Sequence, residues 1–224
     1  MHLHTCGCSG CGRSTAEEQV YAAKENGYAG VCFTNHFYHG NTCIDRSLPW
    51  RDFFGAYYDD YLRGKAEGDR LGIDVFFGIE EAYIPSKEVL IYGVSPEAYF
   101  ACGGFLSFDM AQKYEFIKRN GGFCAVAHPF RHRSYVIDPD AEPDLRFFDA
   151  IEVFNQANLP EDNAKAEAFA SEHDFPVIAG GDVHDTVNFG RSGLAFPERL
   201  YTEENFIAHL KSGDYRLIKD GSIT

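Results

Sequence analysis

The chain has 224 residues, 45% hydrophobic and 15% aromatic, enough to core one domain of ordinary size. Its 20 Lys and Arg against 34 Asp and Glu give a formal charge of -14, which repels phosphate backbones and disfavours broad nucleic-acid binding. No apolar run approaches the ~20 residues that span a bilayer, nothing at the start reads as a secretory signal, and the seven cysteines read as free thiols of a reduced, cytoplasmic protein.

Met1 is followed at once by His2-Leu3-His4. Ser14-Thr15-Ala16-Glu17 is a capping-box pattern opening a helix that reaches about Asn26, where Gly27 can end it. Residues 29–34 form a buried-strand candidate, and residues 50–70 carry aromatics and charges at helical spacing before Gly72. Strands follow at 74–79 and 88–93, then a helix at 109–119 stopped by Asn120-Gly121-Gly122. Further strands are expected at 123–127, 150–154 and 176–180, with an Ala-rich helix at 163–172. A helix at about 202–211 and a strand at 215–218 close the chain.

Repeated β-then-α units predict a mainly parallel sheet, because parallel neighbours need crossovers. The strands are short and almost continuously apolar, as when both faces are covered. No linker divides the chain, so residues 1–224 are expected to form one domain.

The histidines and carboxylates decide between an open sheet and a barrel. His2, His4, His36, Glu80, His128, Asp182 and His184 each fall where an apolar run gives way to loop residues. His-x-His puts two imidazoles on one side of an extended segment, and Asp182-Val183-His184 repeats that geometry far along the chain. If both pairs serve one metal cluster, the first and seventh strands lie side by side, as in a barrel whose mouth gathers the βα loops. Mixed imidazole and carboxylate ligands suit Zn, Mn or Fe.

At this point the chain resembles the polymerase-and-histidinol-phosphatase (PHP) superfamily. The resemblance rests on His2-Leu3-His4-Thr5, Phe33-Thr34-Asn35-His36, Gly78-Ile79-Glu80, residues 121–129 with His128-Pro129, Ile151-Glu152-Val153-Phe154-Asn155, and Ala179-Gly180-Gly181-Asp182-Val183-His184. It implies a distorted (β/α)7 barrel, TIM-like, with two to three divalent transition metals. It also implies a phosphoester hydrolase acting through metal-activated hydroxide. By this resemblance His2, His4 and Asp182 bind a first metal, Glu80 bridges to a second held by His128, and His36 and His184 bind a third. The family's Asp after the first motif is replaced here by Ser9, and a further expected His by Leu90, so the third and second sites each lose a ligand. A thiolate from Cys6, Cys8 or Cys11 could stand in for the Asp, or simply lie nearby. Cys32 and Cys124 read as core.

Arg131 and His132 are expected to overhang the mouth, with Arg13 and Arg191 as further phosphate contacts, since guanidinium forks match phosphate oxygens. Asp182, His184 and Arg131 are the candidate catalytic residues, with Asp182 or a nearby His moving a proton. Asn155 could bond a ligand or cap the next turn, and His39 reads as a surface residue. The expected substrate is a small phosphomonoester, with neither nucleic acid nor membrane as partner. A 3′-5′ exonuclease and a non-catalytic metal-binding barrel remain as alternatives. Amidohydrolases also begin with His-x-His but need a Lys on a middle strand, and no expected strand end offers one.

Overall fold

The structure, a computed structural model, describes residues 1–84 and 86–224. Helix α1 (Ala16–Glu25) starts one residue later than the Ser14/Glu17 pattern suggests. Thr15 is the N-cap and closes a capping box with Glu18, while the Ser14 hydroxyl accepts from Thr186 N instead. Strand β1 (Gly30–Phe33) and helix α2 (Trp50–Leu71) follow, the latter ended by Gly72 in the left-handed conformation.

A six-stranded sheet then builds in sequence order from β1, β2 (Asp74–Ile84), β3 (Lys87–Tyr92), β4 (Phe123–Ala127), β5 (Ala150–Asn155) and β6 (Val177–Gly180). The sheet is parallel at β1–β2, β4–β5 and β5–β6, within the expectation of a mainly parallel sheet, but β3 runs antiparallel to both β2 and β4. Strand β2 continues to Ile84, which pairs directly with Lys87. Fewer than the dozen or so residues needed for a crossover separate the two strands, so a hairpin is the remaining connection.

Helices α3 (Pro96–Ala101), α4 (Met110–Arg119), α5 (Pro160–Glu172) and α6 (Glu203–Ser212) complete the helical set; α3 was not foreseen. The expected last strand belongs to a separate antiparallel sheet of β7 (Ser192–Ala195), β8 (Arg216–Lys219) and β9 (Ser222–Ile223).

The expected first strand is only a bridging segment. Leu3 forms an isolated parallel bridge with Val183, and Thr34 N donates to Leu3 O at 3.0 Å. Residues 2–4 therefore sit between the end of β1 and the loop after β6. The six strands curl around this junction as a half-barrel in a mixed α/β fold, which realises part of the expected distorted (β/α)7 barrel. No helix among the described residues is long and apolar enough to cross a membrane.

Alternation along the strands separates two cores. Phe77, Ile79, Val89 and Ile91 pack with Phe53, Phe54 and Tyr57 of α2. Phe76, Leu90, Tyr92, Ala125 and Ile178 pack on the other face with Phe206, Ile207 and Leu210 of α6. Glu80 and Glu81 take opposite faces by the same rule. Glu81, fully buried, is offset by Lys113 Nζ at 3.2 Å and His39 Nδ1 at 2.5 Å. A buried carboxylate with no partner would cost several kcal/mol, so this pairing accounts for an acidic residue on a core face.

Candidate metal centre

All seven sequence-chosen ligands converge at one end of the sheet. His2, His4 and Glu80 offer atoms within 4.8 Å of one another, and so do His4, His36 and His184, and His2, His128 and Asp182. Glu80 lies at the centre. Its Oε1 is 3.1 Å from both His2 Nε2 and His128 Nε2. Its Oε2 is 3.3 Å from His4 Nε2 and 2.7 Å from His36 Nδ1. Asp182 Oδ1 faces His4 Nε2 at 3.2 Å and His2 Nε2 at 3.5 Å.

The backbone is unusual at two of these positions. His128 has φ 29° and Asp182 φ 50°. Non-glycine residues enter this region at a cost of order 1–3 kcal/mol, which the surrounding structure has to hold. Each turn lets a strand end present its side chain across the mouth.

Outer partners fix which nitrogen each ring presents. Glu152 Oε1 takes His2 Nδ1 at 2.9 Å, and its Oε2 accepts from His128 N at 3.0 Å and Asn155 Nδ2 at 2.9 Å. His184 Nδ1 lies 2.9 Å from Asp182 O. His4 Nδ1 lies 3.0 Å from Ser9 Oγ, which also accepts from His36 N at 3.0 Å and donates to Asn35 Oδ1 at 3.0 Å. Two acceptor positions and one donor saturate this hydroxyl. Ser9 therefore holds His4 in the Nδ1–H tautomer, with the Nε2 lone pair turned to Glu80 and Asp182. A histidine held this way by a second group is a recurring feature of metal ligands.

Burial favours the neutral form of every group here, and neighbouring charges override it selectively. Burial depresses His2, yet Glu152, Asp182 and Glu80 raise it well above its ordinary range. Burial and the nearby His36 charge bring His4 down to about 3. Burial would raise Glu80, but His2 and His36 hold it well below the usual carboxylate range. Asp182 is likewise held low, against burial, by Arg131 and His2.

The donors suit a divalent cation. Among the described residues, His36 Nδ1 and Glu80 Oε2 are buried without a hydrogen-bond partner, although they approach one another. Orphaned inward atoms of this kind are costly unless a ligand completes them.

The expected phosphate contacts divide. Arg131 is buried, and its guanidinium is engaged by Asp182 Oδ2 at 2.5 Å, Asn158 Oδ1 at 2.7 Å and Asn155 Oδ1 at 3.0 Å. It orients Asp182 and offers no open fork over the mouth. His132 turns to Asp162 at 2.8 Å, and Arg191 pairs with Asp220 at the surface. Arg13 remains at the site: its backbone N donates to His184 O at 2.8 Å, and its side chain is exposed. Asn155 bonds Glu152, Arg131 and Ala157 N, serving the site's outer partners and the turn together.

The cysteines also separate. Cys8 is core, Cys6 is exposed, and Cys11 lies beside His36 and His184. Burial would raise the Cys11 thiol, but hydrogen bonds with His184 and His36 bring it down to about 6. Cys32 and Cys124 are buried in core clusters.

Sequence reasoning missed two carboxylates, Glu152 and Glu88. Glu152 lay inside a resembling segment, and a charge within an apolar strand was its available signal. Glu88 comes to His36 Nδ1 at 3.3 Å and His128 Nε2 at 3.5 Å. The same reversal of β3 corrects the expectation about lysine. Lys87 does stand at a strand end, but its amine donates to Pro129 O at 2.5 Å, away from the cluster.

A PHP-associated family model matches residues 160–215. A two-domain protein from Bacteroides vulgatus, containing a predicted PHP-like metal-dependent phosphoesterase, superposes with a TM-score of 0.69 at 16% identity over 99% of this chain. The chain shares the fold of that PHP-like protein. It spans 64% of the Bacteroides protein's length. A Bifidobacterium adolescentis protein assigned as a metal-dependent phosphoesterase is similar over 92% of each chain, with a TM-score of 0.57 and 14% identity. An amidohydrolase from Chromobacterium violaceum, solved with sulfate and no metal, matches 82% of this chain and 86% of its own, with a TM-score of 0.55 and 17% identity. No curated protein matches the chain. Identities this low carry the PHP fold, and the substrate has to be argued from the site.

Proposed function

We propose that residues 1–224 act as one metal-dependent phosphoesterase unit on a small phosphorylated molecule, a phosphomonoester in the manner of histidinol phosphate. The reading rests chiefly on the ring nitrogens: His2, His4 and His128 turn Nε2, and His36 turns Nδ1, toward the same small volume around Glu80, while His184 Nδ1 lies 3.4 Å from Asp182 Oδ1. Two or three divalent cations of Zn, Mn or Fe held there would supply Lewis acidity toward a phosphoryl group and acidify water at neutral pH.

The protein's own part is orientation. Glu152 holds His2, Ser9 holds His4, and Arg131 pins Asp182 so that Oδ1 faces inward. Asp182 is then a ligand, and His184, whose side chain is 25% exposed, is the ring placed to pass a proton to solvent. Arg13, at the rim and without a partner among the described residues, is the cation available to a substrate phosphate. The sulfate in the Chromobacterium relative supports anion binding in such a fold.

The test is phosphate release from a panel of phosphomonoesters by Mn(II)- or Zn(II)-loaded protein. Turnover should fall about 100-fold or more in His128→Ala. Metal-loaded protein without turnover on any phosphoester would overturn the reading, and degradation of labelled single-stranded DNA would redirect it to nucleic-acid ends.

A further inference from the structure

Because β3 runs against its neighbours, its early residues stand at the mouth and its later ones at the floor. Glu88, Leu90 and Tyr92 share one face by alternation. Leu90 lies directly opposite Glu80, is fully buried, and packs with Tyr92, Ala125 and Ala127. It closes the floor beneath the site. Glu88 stands one rung nearer the mouth, opposite Ala127 and Ala82, where the small neighbours leave room for a carboxylate to lean inward.

The side chain is 15% exposed. Among the described residues it makes no hydrogen bond to a backbone donor and no ion pair with Lys or Arg. Its contacts are His36 Nδ1 and His128 Nε2, the two rings that also face Glu80. His36, Glu80 and Glu88 offer atoms within 4.8 Å of one another. Two of the atoms facing this point, Glu80 Oε2 and His36 Nδ1, lie 2.7 Å apart and, among the described residues, are buried without a hydrogen-bond partner. Two carboxylates and two imidazoles therefore surround one position.

We propose that Glu88 is a metal ligand, which with Glu80 holds a divalent cation between the rings of His36 and His128. This deepens the phosphoesterase reading and rests on its metal centre. An added carboxylate shifts the position toward harder, oxygen-preferring ions, so it should favour Mn(II) over Zn(II) relative to an all-imidazole surround. Leu90 does not leave this position short of a ligand; the carboxylate is supplied one rung up.

The test uses chelator-treated full chain titrated with Mn(II) and Zn(II), read by elemental analysis and by the electron paramagnetic resonance of Mn(II). Wild type should take up more than one Mn(II), with spin coupling between ions that share Glu80. Glu88→Gln, nearly isosteric, should lose one ion or bind it at least about tenfold more weakly, and the coupled signal should give way to that of isolated Mn(II). Glu88→His should retain the ion with its preference moved toward Zn(II), and it carries the test if Glu88→Gln fails to fold. A Glu88→Gln protein that titrates like wild type overturns the assignment and leaves the phosphoesterase reading intact. Wild type that takes up no metal overturns both.

Discussion

A neutral imidazole offers one lone pair, and the hydrogen bond made by its other nitrogen decides where that lone pair points. Ser9 occupies the position where the PHP resemblance implied a metal-binding Asp, and the structure gives it a different task one bond further out. Its hydroxyl holds His4 Nδ1, receives His36 N and leans on Asn35. Ser9→Ala should therefore leave the ligand set intact yet weaken metal binding about 10–100-fold. Competition against a chromophoric chelator measures this, and unchanged affinity would remove Ser9 from the site's support. The His-x-His and Asp-x-His pairs were legible in the sequence because period-2 spacing alone places both side chains on one face. Glu152 and Arg131 were not legible in their roles. Their partners, His2 and Asp182, lie 150 and 51 positions away, and only the folded sheet brings them together.

At the scale of elements, the edge of the site is set by how closely β6 approaches β5 and the first residues. A Cβ at Gly180 would lie 2.1 Å from Glu152 Oε1 and 2.7 Å from His2 Cβ. Gly180→Ala should push Glu152 off His2, at about 1–3 kcal/mol in stability together with weakened metal uptake. Chemical denaturation of the metal-free protein and a metal titration read the two effects separately; an alanine variant matching wild type in both would remove the close approach at Gly180 as a constraint on the site. Strands 123–127 and 150–154 were legible as apolar runs, and α4 as the helix expected over 109–119. The reversal of β3 was not, because β2 was read as ending at residue 79. It continues past the site as Glu80, Glu81 and Ala82, whose charges break the apolar pattern while their burial obeys the sheet.

For the molecule as a whole, pH enters through a residue remote from the centre. Glu203, in the first turn of α6, is pushed by burial up to about 7 from 4.5, and among the described residues its Oε1 has no hydrogen-bond partner. Between those two values the folded chain keeps a proton that the unfolded chain releases, so stability falls as pH rises through that window. Glu203→Gln should match wild type near pH 4 and exceed it by about 1–3 kcal/mol above pH 7. Urea melts across the range decide it, since a gap that does not change with pH would mean Glu203 is charged or protonated alike in both states. Net charge and the ligand series were readable from composition and order. The separate β7–β9 sheet was not, because its strands are short and two of them carry little apolar signal.

The bridge between Leu3 and Val183 has a kinetic consequence. Neither His-x-His nor Asp-x-His can close the cluster until nearly all the intervening chain has found its place. Contacts of such long sequence separation form slowly, because loop closure has to precede their reward. The metal centre is thus a late-assembling lock: a chain still growing, or opened at either end, cannot hold the cations around Glu80. Once bound, they should slow the separation of the two ends and so set the lifetime of the folded protein.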